Sequence, residues 1–273
     1  MAIAVIDCGT NTFHLLIADI SDDSFKILFR KNLAVKLGEG GISSNKIARE
    51  AFNRGIDALK EFAADMKQFV IDKQLCYATE AIRRATNGND FVEDAKKQSG
   101  ITLEIIDGLR EAELIYSGVS HAVPFGKEKV LIMDIGGGST EFVIAGNGNI
   151  LWRQSFPLGA ALLLDMFKPS DPIHDVQVKL ITEHINSVLL PLAEALKQHG
   201  NVNTLVGSAG SFWYDHQISP AQDFTHHTED QVMYGPLCMN IDVMRQSANL
   251  PLLNRGDKVV VHKVGAYNMT QWM

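Results

Sequence analysis

Residues 130–143 read VLIMDIGGGSTEFV, and residues 3–14 read IAVIDCGTNTFH. In both stretches an apolar run ends at an aspartate, a turn of small residues follows, and β-prone residues come next. Glycine allows a ligand to approach the backbone closely, and consecutive N–H groups in such a turn form a concavity that binds anions. The two aspartates, Asp7 and Asp134, lie 127 residues apart. The repeat therefore predicts two similar half-domains that face each other across a phosphate-sized cleft.

The composition is that of a soluble globular protein. The chain has 273 residues, 46% of them hydrophobic and 21% charged, which is enough for two domains of ordinary size. Its net charge of −7 argues against a broad nucleic-acid-binding face but leaves room for a small basic site that holds an anionic substrate. The three cysteines, at positions 8, 76 and 238, are odd in number and widely scattered, so we expect neither a disulfide framework nor a zinc site.

The N-terminal apolar run ends at Asp7, which is too early for a signal peptide. No uninterrupted apolar stretch is long enough to cross a bilayer. We therefore expect a cytoplasmic enzyme that has neither a membrane nor a nucleic acid as its partner.

Hydrophobic periodicity predicts the order of elements in the first half of the chain. Three short strands, at 2–7, 13–20 and 25–30, precede a helix at 45–69. After them we expect a strand at 75–79, a helix with Arg83 and Arg84, a helix after 87–89, a strand at 101–106 and a helix at 110–122. This order implies a mixed sheet flanked by helices.

The pattern then starts again. We predict strands at 129–133, 140–145 and 149–155, a helix at 159–167, one long helix at 175–198 and a strand at 203–207. The GNGN sequence at 146–149 has the residues of a hairpin turn. The sequence thus predicts a duplicated α/β fold, with half-domains at 1–123 and 124–212 and a short β-rich appendage at 213–273.

Three places in the sequence are candidates for a functional site. Arg83 and Arg84 follow a strand-to-helix transition, where an arginine can bind phosphate in a bidentate manner, and a solvated pair on the helix is an equal alternative. Glu111 and Glu113 open a helix, and spacing alone favours acids that complement the macrodipole over a general base at Glu111. The turn at 136–138 could be a plain connection, but its duplication favours phosphate binding.

An ordered series of motifs resembles the exopolyphosphatase / guanosine pentaphosphate phosphohydrolase family, which belongs to the duplicated actin-like (ribonuclease H-like) ATPase-type folds. The resemblance covers residues 1–212. Its motifs are DCGTNTFH at 7–14, ATEAIR at 78–83, GLREAELIYSGV at 108–119, DIGGGSTE at 134–141, FPLG at 156–159 and VGSAG at 206–210.

The resemblance implies hydrolysis of a terminal phosphoanhydride with Mg²⁺ or a similar ion and without a phosphoenzyme. By motif position, Glu111 activates the water, and Asp134 and Glu141 hold the cation or order that water. The phosphate-binding residues carried over in the same way are Gly9, Thr10, Asn11, Thr12, Arg83, Gly136, Gly137, Gly138, Ser139, Gly207, Ser208 and Gly210. The implied substrate is inorganic polyphosphate or a phosphorylated guanosine nucleotide such as guanosine pentaphosphate, and the implied assembly is a homodimer.

Residues 213–273 resemble a different family, the C-terminal β domain of pyridoxal-phosphate-dependent decarboxylases of the diaminopimelate and carboxynorspermidine type. This resemblance rests on YGPLCMNID at 234–242, RGD at 255–257 and VGAY at 264–267. We do not expect bound pyridoxal phosphate (PLP), because nothing in residues 1–212 resembles the barrel that carries its lysine in that family. Together the two resemblances imply a truncated second half-domain fused to a decarboxylase-like tail.

Two alternatives to a hydrolase stay open at this point. The chain could bind polyphosphate or a nucleotide without turnover, because the second half-domain is expected to be incomplete. It could also be part of a decarboxylase, if a separate chain supplies the barrel.

Overall fold

The computed structural model describes residues 1–21, 24–123 and 125–208, together with the backbone of four strands beyond residue 217. These residues form two compact units. Unit 1 contains residues 1–112, 136–141 and 154–194, and unit 2 contains residues 113–135, 142–153 and the described residues from 195 onward. The half-domain boundaries expected from the sequence stay a prediction.

The first sheet has five strands, which are β1 (Ala2–Cys8), β2 (Thr12–Ser21), β3 (Ser24–Ala34), β4 (Lys73–Ala78) and β5 (Glu104–Ile105). Their order is β3-β2-β1-β4-β5, with β2 antiparallel and β4 parallel to β1. The predicted mixed sheet is therefore confirmed. The strand expected at 101–106 is shorter, because Ile101 and Leu103 join the hydrophobic core and only Glu104 and Ile105 pair with β4.

Four helices accompany this sheet, namely α1 (Arg49–Met66), α2 (Glu80–Arg84), α3 (Gly88–Ser99) and α4 (Gly108–Ala122). The apolar residues of α1 recur at helical spacing, so that Leu59 and Phe62 are completely buried in one core with Ile6 and Leu15 of the sheet. Burial of each such side chain contributes about 1.5–3 kcal/mol. This core fixes the carboxyl ends of β1 and β4, after which the first turn and α2 begin.

The second sheet has four strands, which are β6 (Val130–Ile135), β7 (Thr140–Gly146), β8 (Asn149–Phe156) and β9 (Thr204–Ser208). Their order is β8-β7-β6-β9, and β9 is parallel to β6. Asn147 and Gly148, between β7 and β8, have φ angles of 52° and 74°, and a type I′ hairpin turn requires positive φ at both positions. The predicted hairpin and the second start of the strand pattern are therefore confirmed.

Three helices follow β8, namely α5 (Ala160–Phe167), α6 (Asp175–Val188) and α7 (Leu190–His199). The prediction of one long helix at 175–198 is wrong, because α6 ends before Leu189. Pro191 explains the break, since proline has no N–H to donate and its ring collides with the preceding helical turn. Proline is tolerated in a first turn, and that is its place in α7.

None of the helices in the described ranges is both long and apolar enough to cross a membrane.

Beyond residue 217 the backbone of four strands is described, as β10 (Ile218–Pro220), β11 (Thr228–Tyr234), β12 (Val243–Pro251) and β13 (Val259–Val261). β10 pairs with β13 and β11 pairs with β12, both antiparallel. These pairings agree with the expected β-rich appendage. Gly210, predicted to bind substrate, and the motif residues Cys238 and Tyr267 lie outside the described residues.

Candidate active site

The second glycine turn is docked on the beginning of α5 through its carbonyl groups. The carbonyl oxygens of Gly136, Gly137 and Gly138 all accept hydrogen bonds from N–H groups of residues 159–162, at 2.9–3.2 Å. In a planar trans peptide the C=O of one residue and the N–H of the next point in opposite directions. The N–H groups of Gly137, Gly138 and Ser139 therefore point away from α5.

These three N–H groups lie in a buried segment. Gly137, Gly138 and Ser139 are all buried, and no residue in the described ranges accepts a hydrogen bond from their backbone N–H groups. Buried N–H groups without a partner are rare, because each costs about 1–3 kcal/mol. Three consecutive N–H groups in a turn are suited to binding the oxygens of an anion.

The first turn is held in the same way by the segment after β3. The carbonyl of Thr10 accepts from the N–H of Gly38 at 3.1 Å, and that of Asn11 accepts from the N–H of Lys36 at 2.7 Å. By the same peptide geometry, the N–H groups of Asn11 and Thr12 point away from that segment. Both glycine turns thus use their carbonyls for attachment and direct their N–H groups to the opposite side.

The two turns lie against each other within unit 1. A Cβ atom placed on Gly137 would lie 3.0 Å from Cβ of Thr10, and one placed on Gly138 would lie 2.6 Å from the Thr10 hydroxyl oxygen. On another side, a Cβ on Gly159 would lie 2.3 Å from backbone atoms of Gly137 and Gly138. Close packing therefore requires glycine at these positions. The structure brings together residues that the sequence assigned to two separate phosphate turns.

Arg83 lies in α2 with its guanidinium between two carboxylates. Its Nη2 donates to Oε2 of Glu80 at 2.5 Å, and its Nη1 donates to Oε2 of Glu111 at 2.9 Å. Nη1 also donates to the carbonyl of Ile106 at 2.8 Å. Two of the predicted site residues, Arg83 and Glu111, are thus in direct contact within unit 1.

These ion pairs are largely shielded from solvent, since the exposed fractions of the Arg83, Glu80 and Glu111 side chains are 18%, 8% and 17%. Burial by itself lowers the pKa of Arg83, but the carboxylates of Glu111 and Glu80 raise it more, so the pKa lies above its ordinary value. Arg83 therefore stays protonated. A guanidinium has five N–H donors, of which the contacts within the described residues use three.

Glu141 lies at the start of β7 and is 2% exposed. One of its oxygens, Oε1, accepts a hydrogen bond from the hydroxyl of Ser155 at 2.6 Å. Ser155 also touches the start of α4, where a Cβ on Gly108 would lie 2.5 Å from the Ser155 Cβ. Since α4 carries Glu111, Ser155 lies between Glu141 and the beginning of the helix that positions Glu111. The two predicted catalytic glutamates therefore belong to one part of unit 1.

Asp134 lies in unit 2 and is 8% exposed. Its Oδ2 accepts a hydrogen bond from the hydroxyl of Ser208 at 2.7 Å. The parallel register of β6 and β9 pairs Asp134 with Ser208 and Met133 with Gly207. Three predicted site residues, Asp134, Gly207 and Ser208, are thus at the carboxyl ends of two neighbouring parallel strands, which is where open α/β sheets bind ligands.

Asp7 occupies the place in β1 that Asp134 occupies in β6. Its side chain reaches solvent, yet the protein packed around it removes part of its hydration. Burial therefore raises the pKa of the Asp7 carboxyl, and the nearby imidazole of His14 opposes this shift. The same burial, reinforced by the negative charge of Asp7, raises the pKa of the neighbouring Cys8 thiol well above its ordinary value, so Cys8 is an unreactive, buried thiol.

Asp134 in unit 2 and Glu141 in unit 1 are each, taken separately, suited to a divalent cation in their chemistry. Mg²⁺ is commonly held by one or two carboxylates and completes its shell with water and substrate phosphate oxygens. Each of the two carboxylates accepts a serine hydroxyl at one oxygen, and such a hydrogen bond orients a carboxylate toward a metal. Within the described ranges, no group of three acidic, histidine or cysteine side chains could hold a metal ion. Phosphate and water oxygens would therefore have to supply the remaining ligands.

Sequence reasoning did not select Glu80 and Ser155, which the structure places in contact with predicted site residues, nor Asp7, which has in β1 the place that Asp134 has in β6. Glu80 stands three residues before Arg83, a spacing typical of ion pairs on a helix, so its signal was present in the sequence. Asp7 was marked by the duplication of the strand–aspartate–turn plan. Ser155 carries no local signal, because its contact with Glu141 depends on the pairing of β7 with β8.

Comparison with known proteins identifies the family of this chain. A family model described as the Ppx/GppA phosphatase family matches residues 16–264. The chain belongs to the Ppx/GppA phosphatase family. The match extends through most of the segment for which the sequence predicted a decarboxylase-like tail, and none of the comparisons supports that tail.

Several individual members of the Ppx/GppA family are similar to this chain. A Haemophilus influenzae protein whose name proposes an exopolyphosphatase is 36% identical over 165 residues, which are 60% of this chain and 51% of that protein. The chain thus spans about half the length of this curated relative. An exopolyphosphatase structure from Cytophaga hutchinsonii has 40% identity and a TM-score of 0.75 over 78% of this chain and 68% of its own.

A Ppx/GppA enzyme from Aquifex aeolicus gives a TM-score of 0.62 at 30% identity, over 78% of this chain and 69% of its own. The two mixed sheets and their helices match this family of solved structures, so the predicted α/β, actin-like fold class is confirmed.

Proposed function

We propose that this Ppx/GppA family member hydrolyses the terminal phosphoanhydride bond of inorganic polyphosphate. The single observation that carries the proposal is the set of three consecutive buried N–H groups at Gly137, Gly138 and Ser139, which have no acceptor among the described residues. They are held against the first turn, in the same unit as the contact between Arg83 and Glu111. Donors to phosphate oxygens, a fixed cation and a carboxylate base are the parts that phosphoryl transfer to water requires.

In the proposed reaction Glu111 takes a proton from a water molecule whose oxygen forms a bond to the terminal phosphorus. The bond from that phosphorus to the bridging oxygen breaks, and its electron pair stays on the bridging oxygen. The products are orthophosphate and a chain shorter by one phosphate. The turn N–H groups, together with the two N–H donors of Arg83 that the contacts with described residues leave unused, stabilise the charge on the phosphoryl oxygens.

We propose Asp134 of unit 2 and Glu141 of unit 1, each taken by itself, as candidate ligands for Mg²⁺ or a similar divalent cation. When bound, such an ion neutralises part of the charge on the substrate phosphates. The serine hydroxyls on these two carboxylates, from Ser208 and Ser155, support this assignment because they fix the orientation of the acids.

Guanosine pentaphosphate is the second proposed substrate, because its terminal phosphoanhydride presents the same kind of oxygens to the site. The description of the matching family, Ppx/GppA, joins two phosphatase names. The cytoplasmic location and the homodimer expected from the sequence belong to the same proposal. Three measurements test these points separately. Phosphate release at equal substrate concentration tests the substrate preference, cell fractionation tests the location, and light scattering of the purified protein tests the homodimer.

The decisive experiment measures orthophosphate release from long-chain polyphosphate in the presence of Mg²⁺, for the wild type and for Glu111→Gln. The amide keeps the shape of Glu111 but cannot accept the proton of water, so we expect a loss of about 10²–10⁴-fold in rate. Glu104→Gln, on the exposed face of β5, removes the same charge and should leave the rate unchanged. Binding of polyphosphate by the wild type without any phosphate release would replace hydrolysis by a binding function.

Arg83→Ala tests the role of the Arg83 guanidinium separately from that of the base, Glu111. It removes a side chain that bonds to both Glu80 and Glu111, and we expect phosphate release to fall at least about 100-fold. Arg49→Ala, exposed at the start of α1, is the matched control. Unchanged turnover of Arg83→Ala would remove Arg83 from the site.

A further inference from the structure

Glu80, next to the proposed site, forms ion pairs with two arginines. Its carboxylate accepts from Arg83 Nη2 at 2.5 Å through Oε2 and from Arg84 Nη1 at 3.3 Å through Oε1. Its side chain is 8% exposed. Hydrogen bonds between charged groups in such a setting are short and strong, so Glu80 has a defined position rather than a solvated one.

The stem of Glu80 also touches the second glycine turn. A Cβ placed on Gly138 would lie 2.8 Å from Cγ and 3.2 Å from Cβ of Glu80. One side chain thus contacts both the glycine turn proposed to bind phosphate and the guanidinium that bonds to Glu111. A shift of the Glu80 carboxylate would change the distance between these two groups.

Arg83 itself is held on two sides. Glu80 takes one N–H of Nη2, while Glu111 and the Ile106 carbonyl take those of Nη1. Because a guanidinium is planar and rigid, anchoring both Nη atoms fixes the plane of the group. Without Glu80, the remaining anchors are both at Nη1, and the group can rotate about them.

We propose that Glu80 is a positioning residue that fixes the Arg83 guanidinium relative to the glycine turn and to Glu111. This inference rests on the proposed hydrolysis and adds to it a residue that acts through Arg83. The negative charge of Glu80 also weakens the pull of Arg83 on substrate phosphate. Removal of that charge should therefore strengthen phosphate binding while it displaces the group that the reaction needs.

The test compares kcat and KM for polyphosphate in two variants. Glu80→Gln keeps the length and removes the charge, so we expect kcat to fall at least about tenfold and KM to fall as well. Glu80→Asp keeps the charge but is one methylene too short to reach Nη2, so we expect a lower kcat with an unchanged KM. A residue that only supports folding would lower the active fraction and the Tm and would leave KM and its salt dependence unmoved.

Glu93→Gln is the matched control, because Glu93 is exposed on α3 and the substitution removes the same charge. It should retain wild-type kcat within about twofold, as expected for a surface charge. An active wild type with kcat unchanged in Glu80→Gln and Glu80→Asp overturns the positioning role alone. A folded wild type that releases no phosphate overturns the proposed function, and the positioning role falls with it.

Discussion

The two copies of the strand–aspartate–turn plan share their backbone construction and differ in the surroundings of their aspartates. In parallel register Asp7 pairs with Tyr77 of β4, whereas Asp134 pairs with Ser208 of β9. Asp134 is buried and accepts the Ser208 hydroxyl, whereas the side chain of Asp7 reaches solvent. The same backbone arrangement thus places one aspartate in contact with solvent and the other in a buried hydrogen bond. The residue on the neighbouring strand differs in the two cases.

The turns differ in what supports them. In each copy a glycine N–H donates to a turn carbonyl, from Gly38 to Thr10 and from Gly159 to Gly138. Gly38 faces the side chains of Thr10 and Ile42, whereas Gly159 faces the backbone of the turn itself. The second turn is therefore the more tightly fixed of the two, which suits three N–H groups that have to keep a common direction.

Substitution of these two support glycines gives the largest expected difference between the copies. In Gly159→Ala the new Cβ would lie 2.3 Å from backbone atoms that cannot move aside, so we expect a loss of about 3 kcal/mol or more in the free energy of unfolding. In Gly38→Ala it would lie 2.8 Å from Cγ2 of Thr10 and 3.0 Å from Cδ1 of Ile42. Side chains repack more easily than backbone does, so we expect a smaller loss of about 1–2 kcal/mol.

Urea unfolding measures both losses. Gly118→Ala is the control, because this glycine is exposed in α4 and a Cβ there meets nothing within 4 Å. Better helix propensity should make that variant more stable by about 0.5–1 kcal/mol. Equal losses in Gly159→Ala and Gly38→Ala would show that the two turns are supported equally firmly, against the comparison.

The hydroxyl groups beside the two aspartates give an intermediate effect. Ser208→Ala removes a hydrogen bond to the buried Asp134 carboxylate, and bonds to charged groups contribute about 1.5–3 kcal/mol to stability. Tyr77→Phe removes the hydroxyl from the corresponding register position beside Asp7, where we expect a change within about 0.5 kcal/mol. Thermal unfolding of the two variants measures both stability changes. A larger loss of stability in Tyr77→Phe than in Ser208→Ala would mean that β4, and not β9, stabilises its neighbouring aspartate.

The fold was predictable because its signals are local. Alternating and helical periodicities, the GNGN turn and the repeated glycine turns each lie within a short window of sequence. The one wrong helix, at 175–198, contained its own breaker in Pro191, so the error came from weighting periodicity above backbone chemistry.

The candidate site was predictable in its residue types and not in its contacts. Arg83 and Glu111 are 28 residues apart, and they meet only because β4, α2 and the start of α4 surround the same end of the first sheet. The direction of the turn N–H groups likewise follows from carbonyl bonds to residues 159–162, which no spacing within the turn reveals. Tertiary packing determines both features.

The smallest expected effect comes from the charge of Asp7. Burial raises the pKa of this carboxyl above its ordinary value, so the folded state binds the proton more tightly than the unfolded state does. The charged form therefore destabilises the fold, and stability falls as the pH rises from the ordinary Asp value, about 4, through the raised pKa. Asp7→Asn cannot ionise, so we expect a small rise in Tm at pH 7 that disappears as the pH is lowered toward about 4.

Asp57→Asn provides the matched control for that pH series, because this exposed acid on α1 forms only a surface pair with Lys60 at 3.2 Å, and such pairs contribute little. Its effect on Tm should be small at every pH. A rise in Tm for Asp7→Asn that persists unchanged at pH 4 would mean that charge is not its cause. Ionisation of Asp7 would then not destabilise the folded state. The two aspartates would differ only in their exposure to solvent, and not in how well the fold stabilises their charge.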